Sequence, residues 1–224
     1  LAMEVDETLG VDRAAPGETA DGNGDDGAGY LGRSTTALGG GGLVGLFTAS
    51  GDYGQDGAGS VSTSLYFSGI PAGGELSTNL EATDGGAIVL QMDGDDVVGV
   101  DGDGHVVFRL EIIDPATNPQ LQTTLYEAIR HDGTTTTFDE ALNLLLGDDG
   151  ASLGLTYEVV RTDGDGDQIT ASETLVLADE QGSILTFDDD GPTQNVGLAQ
   201  GASADLLAME VDETLGVDRA APGE

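Results

Sequence analysis

Aspartates in this chain gather in glycine-spaced runs, a spacing suited to a hard divalent cation. The runs are DGNGDD at 21–26, DGDD at 93–96, DGDG at 101–104, TDGDGD at 162–167 and FDDDG at 187–191, with EVDE at 4–7 and again at 210–213. Calcium takes about six to eight oxygen ligands at ~2.3–2.6 Å, from carboxylates and backbone carbonyls. Glycine between successive aspartates lets a loop curl until their side chains converge. The candidate ligands are therefore Asp163, Asp165 and Asp167; Asp188, Asp189 and Asp190; Asp101 and Asp103; Asp93 and Asp95; Asp21, Asn23 and Asp25; and Asp6 and Glu7 with their copies Asp212 and Glu213. Magnesium keeps waters and takes few protein ligands, so it fits less well. The spacing is not that of an EF-hand, because Gln168 and Thr174 stand where that loop needs Gly and Glu. The GGxGxD nonapeptide of calcium β-helices is absent as well. A single Asp-Gly pair reads more readily as a solvated turn, and DGNGDD, DGDD and DGDG read equally either way. Clustering under a large negative charge is what favours the cation.

Other chemistry finds little support, and the chain is expected not to be an enzyme. GASLG at 150–154 matches G-x-S-x-G by letter, but its surroundings read as strand where a nucleophile elbow needs a strand and then a helix. GNGDDG at 22–27 matches G-x-G-x-x-G, yet two aspartates inside it would repel a pyrophosphate. His105 and His131 have no cysteine and no metal-ligand spacing around them; His131 reads as a residue that packs or hydrogen-bonds at a strand end. Carboxylate pairs serve glycoside hydrolysis, but the chain has no Trp and only 4% aromatic residues, which is poor for a sugar-stacking cleft.

The elements that must carry these clusters are short and β-like. Formal charge is −36, and every one of the six basic residues is Arg (13, 33, 109, 130, 161 and 219). Such a chain is repelled by nucleic acid and by anionic membrane surfaces, so neither is expected as a partner. No apolar run reaches the roughly 18 residues of a membrane span. A hydrophobic fraction of 38% and alternating runs such as VSTSLYFSGI and HVVFRLEII argue against disorder. Cysteine is absent, which fits a cytosolic home and equally an extracellular domain that uses metal as its staple.

Val, Ile, Thr, Tyr and Phe enrich the runs, and Gly, Asp and Asn punctuate them, which predicts strands at 43–48, 61–68, 87–92, 95–100, 105–113, 121–129, 153–161, 169–177 and 184–187. DGDD and DGDG separate tight hairpins, and TDGDGD joins the last two long strands. One helix is predicted within TFDEALNLLLG, near 138–146, from Thr137 as N-cap, acids in the first turn and Gly147 as stop. The fold class expected is an all-β, immunoglobulin-like, elongated sandwich, in one piece or two. LAMEVDETLGVDRAAPGE occurs at 1–18 and again at 207–224, so position 207 restates position 1 and the period is 206 residues. A period of that size is domain-sized. The expected division is a repeat at 1–195, followed at 196–224 by a linker and the first strand of the next repeat.

VDETLGVD, LYEAIRH, TDGDGD and FDDDGPT occur in that order, with GDYGQDGAGSVSTSLYFSG, STNLEATDGGAIVLQM and HVVFRLEIID between them. Together they resemble the large tandem repeats of bacterial RTX adhesins, giant type I-secreted surface proteins, over nearly the whole period. The resemblance implies a monomeric, calcium-stabilised extender module, secreted to a Gram-negative cell surface, whose partners are calcium ions and neighbouring repeats. It implies Asp163, Asp165, Asp167 and Asp188–Asp190 as metal ligands. Calcium shared between the DDDG of one repeat and the TDGDGD of the next would stiffen such a rod. LGGGGLVG at 38–45 and FDEALNLLL depart from the pattern. The competing reading is an adhesion domain in which calcium bridges a glycan or protein ligand; an acidic calcium buffer is disfavoured by the strand pattern.

Overall fold

Alternation becomes strand through most of the chain. The structure is a computed structural model and describes residues 1–7, 29–131, 140–189 and 196–200. Asp21, Asn23, Asp25, Asp190, Asp212 and Glu213, and the start of the predicted helix, lie outside the described residues. The chain divides into two units, Leu1–Gly191 and Pro192–Glu224. In the second, Val196 and Leu198 are exposed.

In the first unit the strands are β1 (Met3–Asp6), β2 (Gly32–Thr35), β3 (Ala58–Ser68), β4 (Leu76–Ala82), β5 (Gly86–Asp93), β6 (Asp96–Val100), β7 (Val106–Ile113), β8 (Gln120–Leu125), β9 (Ala141–Asn143), β10 (Leu153–Asp163), β11 (Gln168–Ala178) and β12 (Leu185–Asp188). They build an all-β sandwich from three sheets. The largest is an antiparallel sheet in the order β2-β8-β7-β6-β5-β4. A second runs β1-β12-β9, and in it the first strand pairs parallel with the last, Met3 with Leu185 through Asp6 with Asp188. Phe187 of β12 meets Phe108 of β7 with ring centroids 5.1 Å apart, in a core with Met3, Leu90, Leu110 and Leu185. Burying such side chains is the main stabilising term, each contributing about 1.5–3 kcal/mol.

The third sheet, β11-β10-β3, is long and buried only at one end. Phe67, Leu153, Leu155 and Leu177 join the core, while β3 and β11 are exposed over most of their length. At about 3.3 Å per residue the β10–β11 hairpin carries its acidic turn roughly 30 Å from that buried end.

Two predicted elements are corrected. Residues 43–48 are not a strand: a 3-10 turn occupies Gly42–Leu46, entered through Gly41 at φ 98° and Gly42 at φ 51°. Those left-handed positions turn the chain so that Leu43 is buried and its amide donates to the Pro119 carbonyl at 2.7 Å. The described part of the predicted helix is strand instead. Leu142, Leu144 and Leu146 point inward alternately, β9 pairs with β12, and Leu146 bridges Thr78 of β4. A period of two fits a sheet edge; Glu140 immediately precedes β9, and the Gly147 amide donates to the Ser77 carbonyl at 2.9 Å where the segment leaves β4.

Candidate functional site: three acidic clusters

Among the described residues, three groups of acidic or imidazole side chains bring their ligand atoms within 4.8 Å of one another. The first sits at the tip of the β10–β11 hairpin. Asp163 Oδ1 accepts the amides of Gly166 at 3.1 Å and Asp167 at 2.9 Å, curling TDGDGD. The Gly164 amide donates to the Gly57 carbonyl at 3.0 Å, which holds the entry to β3 against the turn. Asp56 thereby joins Asp163 and Asp165. The pKa of Asp163 is lowered, first by its hydrogen bond with the Asp165 side chain and then by the amides of the turn. Asp167 gives this cluster its amide. The carboxylate that completes the group comes instead from Asp56, more than a hundred residues earlier.

The second cluster is in the β6–β7 turn. Asp101 Oδ1 accepts the amides of His105 at 2.8 Å and Asp103 at 3.0 Å. Its other oxygen is buried without a hydrogen bond, 3.5 Å from His105 Nδ1, and Glu127 Oε1 lies 3.9 Å from the same nitrogen. Gly85, at φ +96°, backs the Asp101 carboxylate so closely that any Cβ there would collide with it.

The third cluster joins both ends of the first unit. Glu7 follows β1, Asp189 follows β12, and His131 comes from the chain after β8. The His131 side chain is 3% exposed and Glu7 is 7% exposed. Glu7 Oε1 accepts the Ile129 amide at 2.6 Å, 122 positions away in the chain. His131 Nε2 stands 3.8 Å from Glu7 Oε1, beyond hydrogen-bonding distance, so Glu7 acts on the imidazole through charge. Burial raises the pKa of Glu7, helped by Asp189 and opposed by His131 and the Ile129 amide. Burial opposes charging His131, but Glu7, Asp189 and the Glu140 backbone outweigh it and raise its pKa.

The remaining predicted ligands have other surroundings. Asp93 pairs with Arg109 at 2.6 Å, and Asp96 holds the same guanidinium at 2.8 Å. Asp95 belongs to that β5–β6 turn and to none of the three clusters. Asp103 contributes its amide to Asp101, and Asp6 lies in register with Asp188 across the parallel pair. Spacing missed Asp56, Glu127 and His131, which arrive from distant connecting segments, and His105, which directly follows DGDG. The one cue to His131 was its place beside an acidic residue in RHDG, which is weak.

Fold and clusters together define an acidic all-β sandwich module with carboxylate-lined cation sites as its candidate chemistry. The chain belongs to the family described as Domain of unknown function (DUF5801), which it matches over residues 2–176. That span runs from β1 into β11 and includes Glu7, Asp56, Asp101, His131 and Asp163. No curated protein and no solved structure matches the chain.

Proposed function

We propose that the chain is a spacer module of a repetitive bacterial surface adhesin, stiffened by calcium and carried outside the cell, with adjoining repeats as its partners. The observation that carries this reading is closure. The first strand of the unit pairs with its last, so Leu1–Gly191 buries its own core, and the sequence that forms β1 recurs after it. A self-contained unit repeated in tandem sets length by number.

Calcium fits the hairpin tip best. Asp56, Asp163 and Asp165 offer only oxygen donors, as a hard cation prefers. An ion there would fasten the entry of β3 to the β10–β11 turn, at the end of a sheet with little core of its own. It would also relieve carboxylate repulsion in a chain of charge −36. The test is a two-repeat protein followed by thermal melting and small-angle scattering, with calcium and with excess chelator. Chelation is expected to lower the melting temperature and loosen the shape, and Asp163→Asn to abolish most of that response. An unchanged melt and unchanged dimensions in chelator would overturn the reading.

A second reading, a calcium-dependent adhesion domain, draws on one observation. A half-open groove of about 440 Å³ lies along the third sheet, with Phe47, Tyr157, Arg161 and Ile169 on its walls. Saturable, calcium-dependent binding on a glycan array, lost in Tyr157→Ala, would favour it over the spacer.

A further inference from the structure

The three clusters differ in donor chemistry, and among them only Glu7–His131–Asp189 holds an imidazole whose side chain is buried. In that cluster His131 Nε2 is buried and makes no hydrogen bond, although two carboxylates converge on it. The imidazole also hydrogen-bonds the backbone of Glu140, and since Nε2 is unpartnered, Nδ1 makes that bond. With Nδ1 committed to that bond, the ring turns Nε2 toward Glu7 and Asp189. Two carboxylates facing a buried nitrogen favour a positive charge among them, which a ring proton or a bound cation can supply.

The distances distinguish a metal from a proton. A proton shared between Nε2 and Glu7 needs a separation of about 2.7–3.2 Å. The observed 3.8 Å is too long for that. It matches an edge of a coordination polyhedron, since two bonds of about 2.0–2.1 Å reach at most ~4.2 Å between their ends. The surroundings are those of a metal ligand set as well: one histidine nitrogen is held by a backbone carbonyl, and the Glu7 carboxylate is held by the Ile129 amide.

We infer that Glu7, His131 and Asp189 form a binding site for a borderline divalent metal of the zinc class, stapling the chain after β1, the chain after β8 and the chain after β12. Calcium takes oxygen donors and gains little from an imidazole, whereas zinc, cobalt and nickel bind one readily. Three protein donors leave positions for water. Because the ligands come from the two ends of the unit and from its middle, binding free energy at this site is folding free energy. In a chain without cysteine, that staple does what a disulfide between its first and last strands would do.

The test uses the full chain, stripped of metal and dialysed against zinc, cobalt or calcium chloride, with bound metal counted and melting followed. One zinc per chain that depends on His131 is expected, with a raised melting temperature and a visible cobalt absorption. His131→Gln is expected to weaken zinc binding at least tenfold and to remove the cobalt band. Should His131→Gln fail to fold, Asp189→Asn, at a half-buried position, carries the same readouts. Zinc binding that survives both variants, follows His105→Gln instead, or is displaced in full by calcium would overturn the assignment. So would a chain that binds no zinc. Calcium at the hairpin tip is read separately through Asp163→Asn, so either site can fail without the other.

Discussion

The two oxygens of Asp101 have unequal surroundings. One accepts the amides of Asp103 and His105 and shapes the β6–β7 turn, while the other lies buried beside His105 and Gly85. Burial pushes its pKa up, but the amides of His105, Asp103 and Gly104 and the nearby His105 charge outweigh burial and hold it below the usual 3.8. A carboxylate lowered on folding adds stability above its unfolded pKa and loses it as pH falls through the folded value. Stability contributed by this turn is therefore expected to be complete above about pH 4 and to drain away below it. Asp101→Asn should melt lower than the parent near neutral pH and show a shallower fall in acid, both read from melting temperature against pH. Parallel acid profiles for the two proteins would refute the charge-based account. The same loop explains how far aspartate spacing could be read. In Asp101–Asp103 and in Asp163–Asp167, the second residue gives its amide to the first, so alternation partly encodes a turn. The donors that complete each cluster, Asp56 and Glu127 among them, come from distant connecting segments and leave no local trace.

At the scale of elements, hydrophobic period decides between helix and strand, and ALNLLLG shows how caps can mislead. Thr137, Asp139, Glu140 and Gly147 form a plausible helix frame, yet the inward residues are Leu144 and Leu146, two apart, with Leu145 between them half-buried. The Leu145 amide donates to Asn79 Oδ1 at 2.7 Å and the Asn79 amide returns to the Leu145 carbonyl at 3.0 Å, so the segment is stitched to β4 by ladder-like bonds. Alanine substitution tests the alternation directly. Leu144→Ala is expected to cost about 2–5 kcal/mol, as deletion from a packed core does. Leu145→Ala should cost clearly less, and denaturant midpoints at constant slope would measure both. Equal losses at 144 and 145 would contradict the strand. Long strands such as β7 and β10 were legible because runs rich in Val, Ile, Leu, Thr, Phe and Tyr persist for eight or eleven residues between turn signals. Short β1, β2 and β9, of three or four residues each, hold too few positions for a period to show. Their identity comes from partners they meet only after folding.

Over the whole molecule, the parallel pairing of β1 with β12 makes the repeat closed, and the duplicated sequence makes that closure testable. Residues 207–224 restate 1–18, so a chain from 19 to 224 holds every residue of one period, with 209–212 in place of β1. Parallel strands need a return connection of about a dozen residues or more. The stretch from 189 to 208 has twenty residues. At ~3.3 Å per residue, β12 is only about 13 Å long, so this stretch has ample length to return along it. The 19–224 chain is therefore expected to melt cooperatively, within a few degrees of the full chain. A 19–206 chain lacks both copies, exposes the side of β12 that β1 covers, and is expected to lose cooperative folding. A charge placed in the strand separates substitution from mere tolerance of truncation. Val5 is fully buried, and Val211 is its counterpart in the second copy. Burying an unpaired carboxylate at either position costs several kcal/mol. Val211→Asp should leave the melt of 1–224 nearly unchanged, because Val5 already fills the site, and should unfold 19–224. A harmless Val211→Asp in the 19–224 chain would mean that the second copy does not replace the first, and that the repeat's boundary lies elsewhere than at β1.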